Sequence, residues 1–274
     1  MPGSGAKSAA GPACLRPAWP APENVRALFT LRRGGVSTGC FASLNVGAHV
    51  QDDPAAVAEN RRRIATSFDL PAEPAWLSQV HGSRVVRLGS AAATGAAADG
   101  VVTSEAGRVC VIQVADCLPV LFAARDGSVV GAAHAGWRGL LAGVLESTVA
   151  ALAVAPAQLL AWIGPGIGPA HFEVGPEVRE ALVGAAAPGT AAQVAGAFEA
   201  NARGRWQCDL VALARQRLAT LGLTGIYGGD WCTFADPERF FSYRRDGRTG
   251  RMAALIWRVQ TPQECPDNRK DSRD

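Results

Sequence analysis

Residues 109–135 read VCVIQVADCLPVLFAARDGSVVGAAHA. Three apolar runs lie in that stretch: Val109 to Ala115, Leu118 to Ala124 and Val129 to Ala133. They are short and lack polar alternation, which predicts strands buried on both faces rather than amphipathic helices. Arg125-Asp126-Gly127 supplies a hairpin turn between the last two runs. The glycines from Gly136 to Gly139 then lead into a helix expected to end near Val154.

The pattern extends outward on both sides. Leu28 to Leu31 reads as a strand end running into the turn Arg33-Gly34-Gly35. Asp52 or Asp53 can cap a helix that begins at Pro54 and runs to about Phe68, with Val57, Ile64 and Phe68 near helical spacing. Trp76 to Leu88 reads as extended, and Ala91 to Ala98 as a low-complexity loop. Further on, Leu159 to Ile163 predicts a buried strand, Val174–Val183 and Cys208–Leu221 predict helices, and Ile226–Gly229 and Met252–Arg258 predict closing strands. Such mixing gives an α/β or α+β class, one domain spanning residues 23–259. Met1 to Pro22, rich in Ala, Gly and Pro, is expected to be a flexible segment, and the polar tail from Gln260 to Asp274 to be disordered.

Composition narrows the partners. The 274 residues are 48% hydrophobic and 19% charged, an ordinary globular balance. A net charge of +3 with interspersed signs does not argue for nucleic acid, though a small anionic ligand fits it. No run of about 18 apolar residues predicts a membrane span. The seven cysteines are irregularly spaced and no export signal precedes them, so reduced thiols in a cytoplasm are expected.

The chemistry centres on few residues. Of the four histidines, His134 ends an apolar strand just before a Gly-rich turn, and His81 sits in Ser78-Gln79-Val80-His81-Gly82. Cys117 follows Asp116 at another strand junction. The gaps of 36 (117 − 81) and 17 (134 − 117) residues are not those of a zinc finger. One Cys and two His from separate strand ends suit a catalytic zinc that keeps a fourth position open. Buried cysteines and lone histidines are more often core, so spacing alone leaves both readings open. His49 reads as a surface loop residue, and His171 as a residue at the start of a helix. Gly136-Trp137-Arg138-Gly139 and Ser242-Tyr243-Arg244-Arg245 are candidate anion sites, or solvated charge clusters. The prolines in Gly164-Pro165-Gly166-Ile167-Gly168-Pro169 exclude a dinucleotide fingerprint.

Taken in order, these motifs resemble the YfiH-type laccase-domain family, also called the purine nucleoside phosphorylase / polyphenol oxidase family. The matching blocks are Arg33-Gly34-Gly35-Val36-Ser37, Ser43-Leu44-Asn45-Val46-Gly47, Asn60-Arg61, Gln79-Val80-His81-Gly82 and Ala98-Asp99-Gly100. Ala115-Asp116-Cys117-Leu118-Pro119-Val120 and His134-Ala135-Gly136-Trp137-Arg138-Gly139 follow, then Gly164-Pro165, Phe172-Glu173-Val174-Gly175, Cys232-Thr233 and Phe240 to Gly247 with Thr249-Gly250-Arg251. Gln51-Asp52 departs from the Gly-Asp of the family, and His171 is not one of its fixed residues.

The resemblance implies a layered α/β/β/α fold with mixed sheets, and zinc on His81, Cys117 and His134. It also implies phosphorolysis of adenosine, inosine, guanosine and methylthioadenosine, with inorganic phosphate as co-substrate, and deamination of adenosine. Arg244 or Arg245 corresponds to a family arginine that matters. Within that frame Asp116 is a candidate proton shuttle, Arg245, Arg244 or Arg138 a phosphate ligand, and Gln79 and Asn45 candidates for orienting the base or ribose. Copper on the same trio is the alternative, giving a laccase-like polyphenol oxidase. Four histidines are too few for a trinuclear cluster, and Met252, the only internal methionine, argues against a weak axial thioether. A metal-free cysteine hydrolase using Cys117 and His134 is the third reading. A monomer or homodimer is expected.

Overall fold

The computed structural model describes residues 11–89 and 93–260. The chain begins with β1 (Cys14–Leu15), β2 (Val25–Thr30) and α1 (Pro54–Ser67), followed by β3 (Val85–Arg87), β4 (Gly100–Thr103), β5 (Val109–Val114), β6 (Leu118–Ala124) and β7 (Val130–Ala135). Two short helices, α2 (Trp137–Ala142) and α3 (Val144–Leu152), lead to β8 (Leu159–Ile163), β9 (Glu173–Val174), α4 (Pro176–Gly184) and α5 (Ala191–Ala195). The last part holds β10 (Phe198–Ala200), β11 (Trp206–Cys208), α6 (Leu210–Thr220), β12 (Gly225–Gly228), α7 (Tyr243–Asp246) and β13 (Met252–Arg258).

A mixed six-stranded sheet has the order β12-β8-β6-β7-β4-β3, parallel at its two ends and antiparallel between. An antiparallel sheet has the order β1-β2-β13-β5, and β10-β11-β9 form a small third sheet. The two large sheets face each other, and that explains the continuous apolar runs. In β6, Leu121 and Ala123 point into the space between the sheets, while Leu118, Val120 and Phe122 point the other way, onto Leu145 and Val149 of α3 and Leu213 and Leu218 of α6. In β13, Met252, Ala254 and Ile256 face the intersheet core, and Ala253, Leu255 and Trp257 face Ile64 of α1. Period-two side chains are apolar on both faces because each sheet has another layer on each side. The layers therefore run helix, sheet, sheet, helix in a single mixed α/β domain. Each buried Leu, Phe or Ile contributes roughly 1.5–3 kcal/mol of burial free energy.

Several boundaries differ from expectation. The helix after Gly136 is two helices, because Gly143 takes the left-handed conformation at φ +83° and caps the first. Glu173 and Val174 are a strand, and the helix starts only at Pro176, whose fixed φ suits a first helical position. Cys14 and Leu15, inside the segment expected to be flexible, pair with Thr30 and Phe29 as an edge strand. Of the two aspartates before α1, Asp53 is the cap, accepting from Ala55 N at 2.9 Å; Asp52 instead accepts from Ser37 Oγ at 2.6 Å and Asn45 Nδ2 at 2.9 Å. Among the described residues no helix is long and apolar enough to cross a membrane. The expected tail lies outside the described residues except for Gln260.

Candidate active site

Three chain segments converge at one end of the intersheet strands. The loop between β5 and β6 carries Cys117, the C-terminal end of β7 carries His134, and the loop after Ser78 carries His81. The ligand-capable atoms of these three residues lie within 4.8 Å of one another. The rings of His81 and His134 meet edge to face, with centroids 4.8 Å apart. Two of the turns use left-handed backbone at non-glycine residues, φ +61° at His81 and +94° at Asp116, a conformation that persists only where the surroundings enforce it.

At His81 the enforcement comes from Asp99. Its fully buried carboxylate lies 2.9 Å from His134 Nδ1 and accepts the backbone N–H groups of Val80 at 3.1 Å, His81 at 2.9 Å and Gly82 at 2.8 Å. One carboxylate thus fixes the ring of one histidine and the backbone of the other. With Nδ1 engaged by Asp99, His134 presents Nε2 to Cys117. Burial disfavours charge on Asp99, yet His134 and the Gly82 and Val80 N–H donors hold its carboxyl below the usual range. Burial likewise opposes a Cys117 thiolate, but His134 and His81 outweigh it and bring the thiol down. For His134, burial opposes the proton, but Cys117 and Asp99 favour it and raise the imidazole. These shifts describe a thiolate stabilised by its neighbours, the form that ligates metal.

The donor set fits a metal ion. A Cβ on Gly136 would stand 2.5 Å from Cys117 Sγ and 3.6 Å from His81 Cδ2, so glycine there is what leaves room for the sulfur beside both imidazoles. One thiolate and two imidazoles, one of them backed by a carboxylate, make a set suited to zinc, with bonds of about 2.0–2.3 Å.

The trio lines a cleft of about 320 Å³, within the size range of small-ligand sites, with His134 buried, Cys117 partly buried and His81 exposed. Arg138, stacked 4.4 Å from the Trp137 ring, and Arg251 supply positive charge to its walls. His49, Gln79 and Tyr243 also line it. His49 is an exposed loop residue, as expected, and it also lines the cleft, where desolvation and then Arg251 lower its imidazole.

Other candidates from the sequence are placed differently. Asn45 is fully buried away from the cleft, accepting from Gly47 N at 2.9 Å and Arg251 N at 2.8 Å and donating to Asp52 at 2.9 Å. Asp116 accepts from Thr233 Oγ1 at 2.6 Å and from Arg244 N at 2.7 Å, one bond on each carboxylate oxygen. The Arg245 guanidinium donates to the carbonyls of Thr233, Phe234 and Phe240, each at 2.9 Å, and to both oxygens of Asp246 at 2.8 Å. Arg244 reaches the Glu173 carbonyl at 2.8 Å. Gln79 clamps the Gln113 backbone from both sides at 2.8 Å, so its amide is committed although its side chain lines the cleft. Among the residues that sequence reasoning missed, Asp99 and Arg251 lie in quoted motifs, but nothing local marked the partners they meet. Met252 is buried between the sheets, with its sulfur accepting from Phe241 N at 3.0 Å, and it does not line the cleft.

Comparison with known proteins gives a consistent picture. Residues 26–259 match the family described as multi-copper polyphenol oxidoreductase laccase. The purine nucleoside phosphorylase PA4543 of Pseudomonas aeruginosa is 52% identical over 245 residues, covering 89% of this chain and 98% of that protein. The purine nucleoside phosphorylase YfiH of Escherichia coli is 49% identical over 243 residues, again covering 89% and 98%. The crystal structure of Neisseria meningitidis protein NMB0706 superposes with a TM-score of 0.85 at 46% identity, covering 90% of this chain and 99% of that one.

Proposed function

We propose that this chain, which belongs to the multi-copper polyphenol oxidoreductase laccase family, is a zinc-dependent enzyme of purine nucleosides. In this reading it phosphorolyses adenosine, inosine, guanosine and methylthioadenosine, deaminates adenosine, and works in the cytoplasm. Relatives named purine nucleoside phosphorylase at 52% and 49% identity support the reaction class. The six described cysteines are unpaired thiols, in keeping with a reducing compartment. The observation that carries the reading is the convergence of His81, Cys117 and His134 in a cleft also lined by Arg138 and Arg251.

His81, Cys117 and His134 would hold the zinc, which supplies a Lewis acid that activates water for deamination or offsets negative charge on a departing purine. The chain's own groups do the rest. Asp99 keeps His134 in one tautomer and holds the His81 backbone, so the donors are placed before any ion arrives. The cleft walls present cationic and aromatic groups, the latter from the exposed ring of Tyr243, to an anion and a flat base. Asp116 and Arg245 serve by position: they fix the Cys117 loop to the α7 loop, so each acts through the residues it holds.

One observation favours a second reading. Asp99, His134 and Cys117 form a carboxylate–imidazole–thiol chain, the arrangement of a cysteine hydrolase. His81, set against the same thiolate, has no place in such a triad and tips the balance to metal. Copper oxidation ranks lower, since the trio uses two of the four histidines and Met252 is committed to the core. The test is to strip the protein of metal and reload it separately with zinc and copper. Nucleoside turnover restored by zinc alone is expected. Phenol oxidation restored by copper, or nucleoside or amide turnover that survives stripping, would overturn the zinc reading.

A further inference from the structure

The metal cleft does not end at His49, Tyr243 and Arg251. The same three residues line an adjoining cavity of about 380 Å³, so the two spaces are lobes of one groove. The far wall of the second lobe includes Gln51, Arg248 and Thr249. Among the described residues no aspartate or glutamate lines either lobe.

Two guanidinium groups in the second lobe are only partly committed. Arg251 uses Nη1 on the carbonyls of Thr249 and Gly250, both at 3.0 Å; among the described residues its Nε and Nη2 make no hydrogen bond. Its backbone N–H is pinned to buried Asn45, so the side chain starts from a fixed point. Arg248 donates from Nη2 to the Gln51 carbonyl and lies 5.1 Å from the centroid of the Phe41 ring, which leaves Nε and Nη1 available. Arg245, in contrast, is tied to three carbonyls and to Asp246, and Arg244, bonded to the Glu173 carbonyl, lines neither lobe. Uncommitted donors on two arginines of this lobe match the fork geometry that recognises phosphoryl oxygens.

We propose that the second lobe is an oxyanion subsite in which Arg248 and Arg251 hold a phosphate group while the purine lies over His81, Cys117 and His134. The identity of the occupant rests on the nucleoside reading. The shared chemistry is a phosphate, either free or carried as the substrate's own 5′-phosphate. With free hydrogen phosphate, one oxygen forms a bond to C1′ as the C1′–N9 bond breaks. The bonding pair leaves with the purine, which takes the phosphate's proton, giving ribose 1-phosphate and the free base.

The experiment uses the full-length, zinc-loaded protein and its Arg248→Gln and Arg251→Gln variants. Binding of inorganic phosphate and of adenosine 5′-monophosphate is measured by calorimetry, and KM for phosphate and for adenosine by product formation. The expected result is a tenfold or greater loss of phosphate affinity in each variant with zinc content unchanged, and a KM for adenosine within about twofold in Arg248→Gln. A lobe that serves the substrate's own phosphate shows instead that loss for the monophosphate and no binding of free phosphate. Unchanged affinity for both anions in Arg248→Gln overturns the proposal. Arg248 is exposed, so that variant decides the matter even where Arg251→Gln does not fold. The two readings fail separately. Phosphate binding that needs Arg248 without any nucleoside turnover sinks the nucleoside reading and keeps the subsite. Phosphate-dependent turnover with unchanged phosphate KM in both variants sinks the subsite and keeps the nucleoside reading.

Discussion

Asp99 Oδ1 and His134 Nδ1 lie 2.9 Å apart, and the same carboxylate accepts the backbone N–H of His81, also at 2.9 Å. A single buried acid therefore braces two of the three candidate ligands. Asp99→Asn keeps the shape but replaces an acceptor with an amide N–H that faces N–H donors. Zinc affinity is expected to fall roughly 10–100-fold, with a stability loss of about 1–3 kcal/mol. Competition with a chromophoric chelator measures the first, and unchanged affinity would show that Asp99 only supports the fold.

Gly136 makes the space for Cys117, since a Cβ there would stand 2.5 Å from the sulfur. Its φ of −76° is ordinary, so the restriction is steric and not conformational. Gly136→Ala is expected to push the thiol off the histidines, lowering bound zinc well below one equivalent and stability by about 1–3 kcal/mol. Metal analysis and a melting curve check this; a fully zinc-loaded variant would count against the assigned ligand set.

The neighbours of Cys117 bring its thiol to about 6. A depressed value means that the thiolate persists as pH falls and is lost only on passing through that value. Metal-stripped protein is expected to be alkylated at Cys117 at a rate that is flat from pH 8 to 7 and falls near 6, and zinc should protect it. Cys110, buried and pushed up, and Cys208, pushed up to about 12, serve as unreactive internal controls in the mass spectrum. A rate still climbing steeply between pH 8 and 9 would mean an ordinary thiol.

Arg245 spends its guanidinium on three carbonyls and Asp246. Arg245→Ala is expected to cost about 2–4 kcal/mol, since each lost bond leaves an acceptor in part-buried surroundings. Thermal denaturation should register the loss. A variant with a normal melting temperature and a large drop in kcat would return Arg245 to the chemistry.

The strands were readable because a strand covered on both faces must be apolar throughout, as in Leu118 to Ala124. The helix break was not, because Gly143 could stand mid-helix at modest cost and only its backbone conformation shows it to be a cap. The candidate trio was visible as residue types at strand junctions and in the loop of His81. Its brace was not: Asp99 lies 18 residues from His81 and 35 from His134, and only the folded chain brings them together. Asn45, Asp116 and Arg245 illustrate the opposite limit. Their polar groups suited catalysis, but whether a polar atom is free or spent on the scaffold depends on partners up to 206 residues away, as for Asn45 and Arg251. His49 is the converse case, a loop histidine by sequence that the turn after Gly47 brings to the cleft wall.

The most direct test of the central claim is product analysis on adenosine, with and without phosphate, using protein of measured zinc content beside Cys117→Ala. The account predicts adenine and ribose 1-phosphate only when phosphate is present, inosine in either case, and loss of all three products in Cys117→Ala. Absence of every product from fully zinc-loaded wild-type protein, or equal turnover in Cys117→Ala, would contradict it.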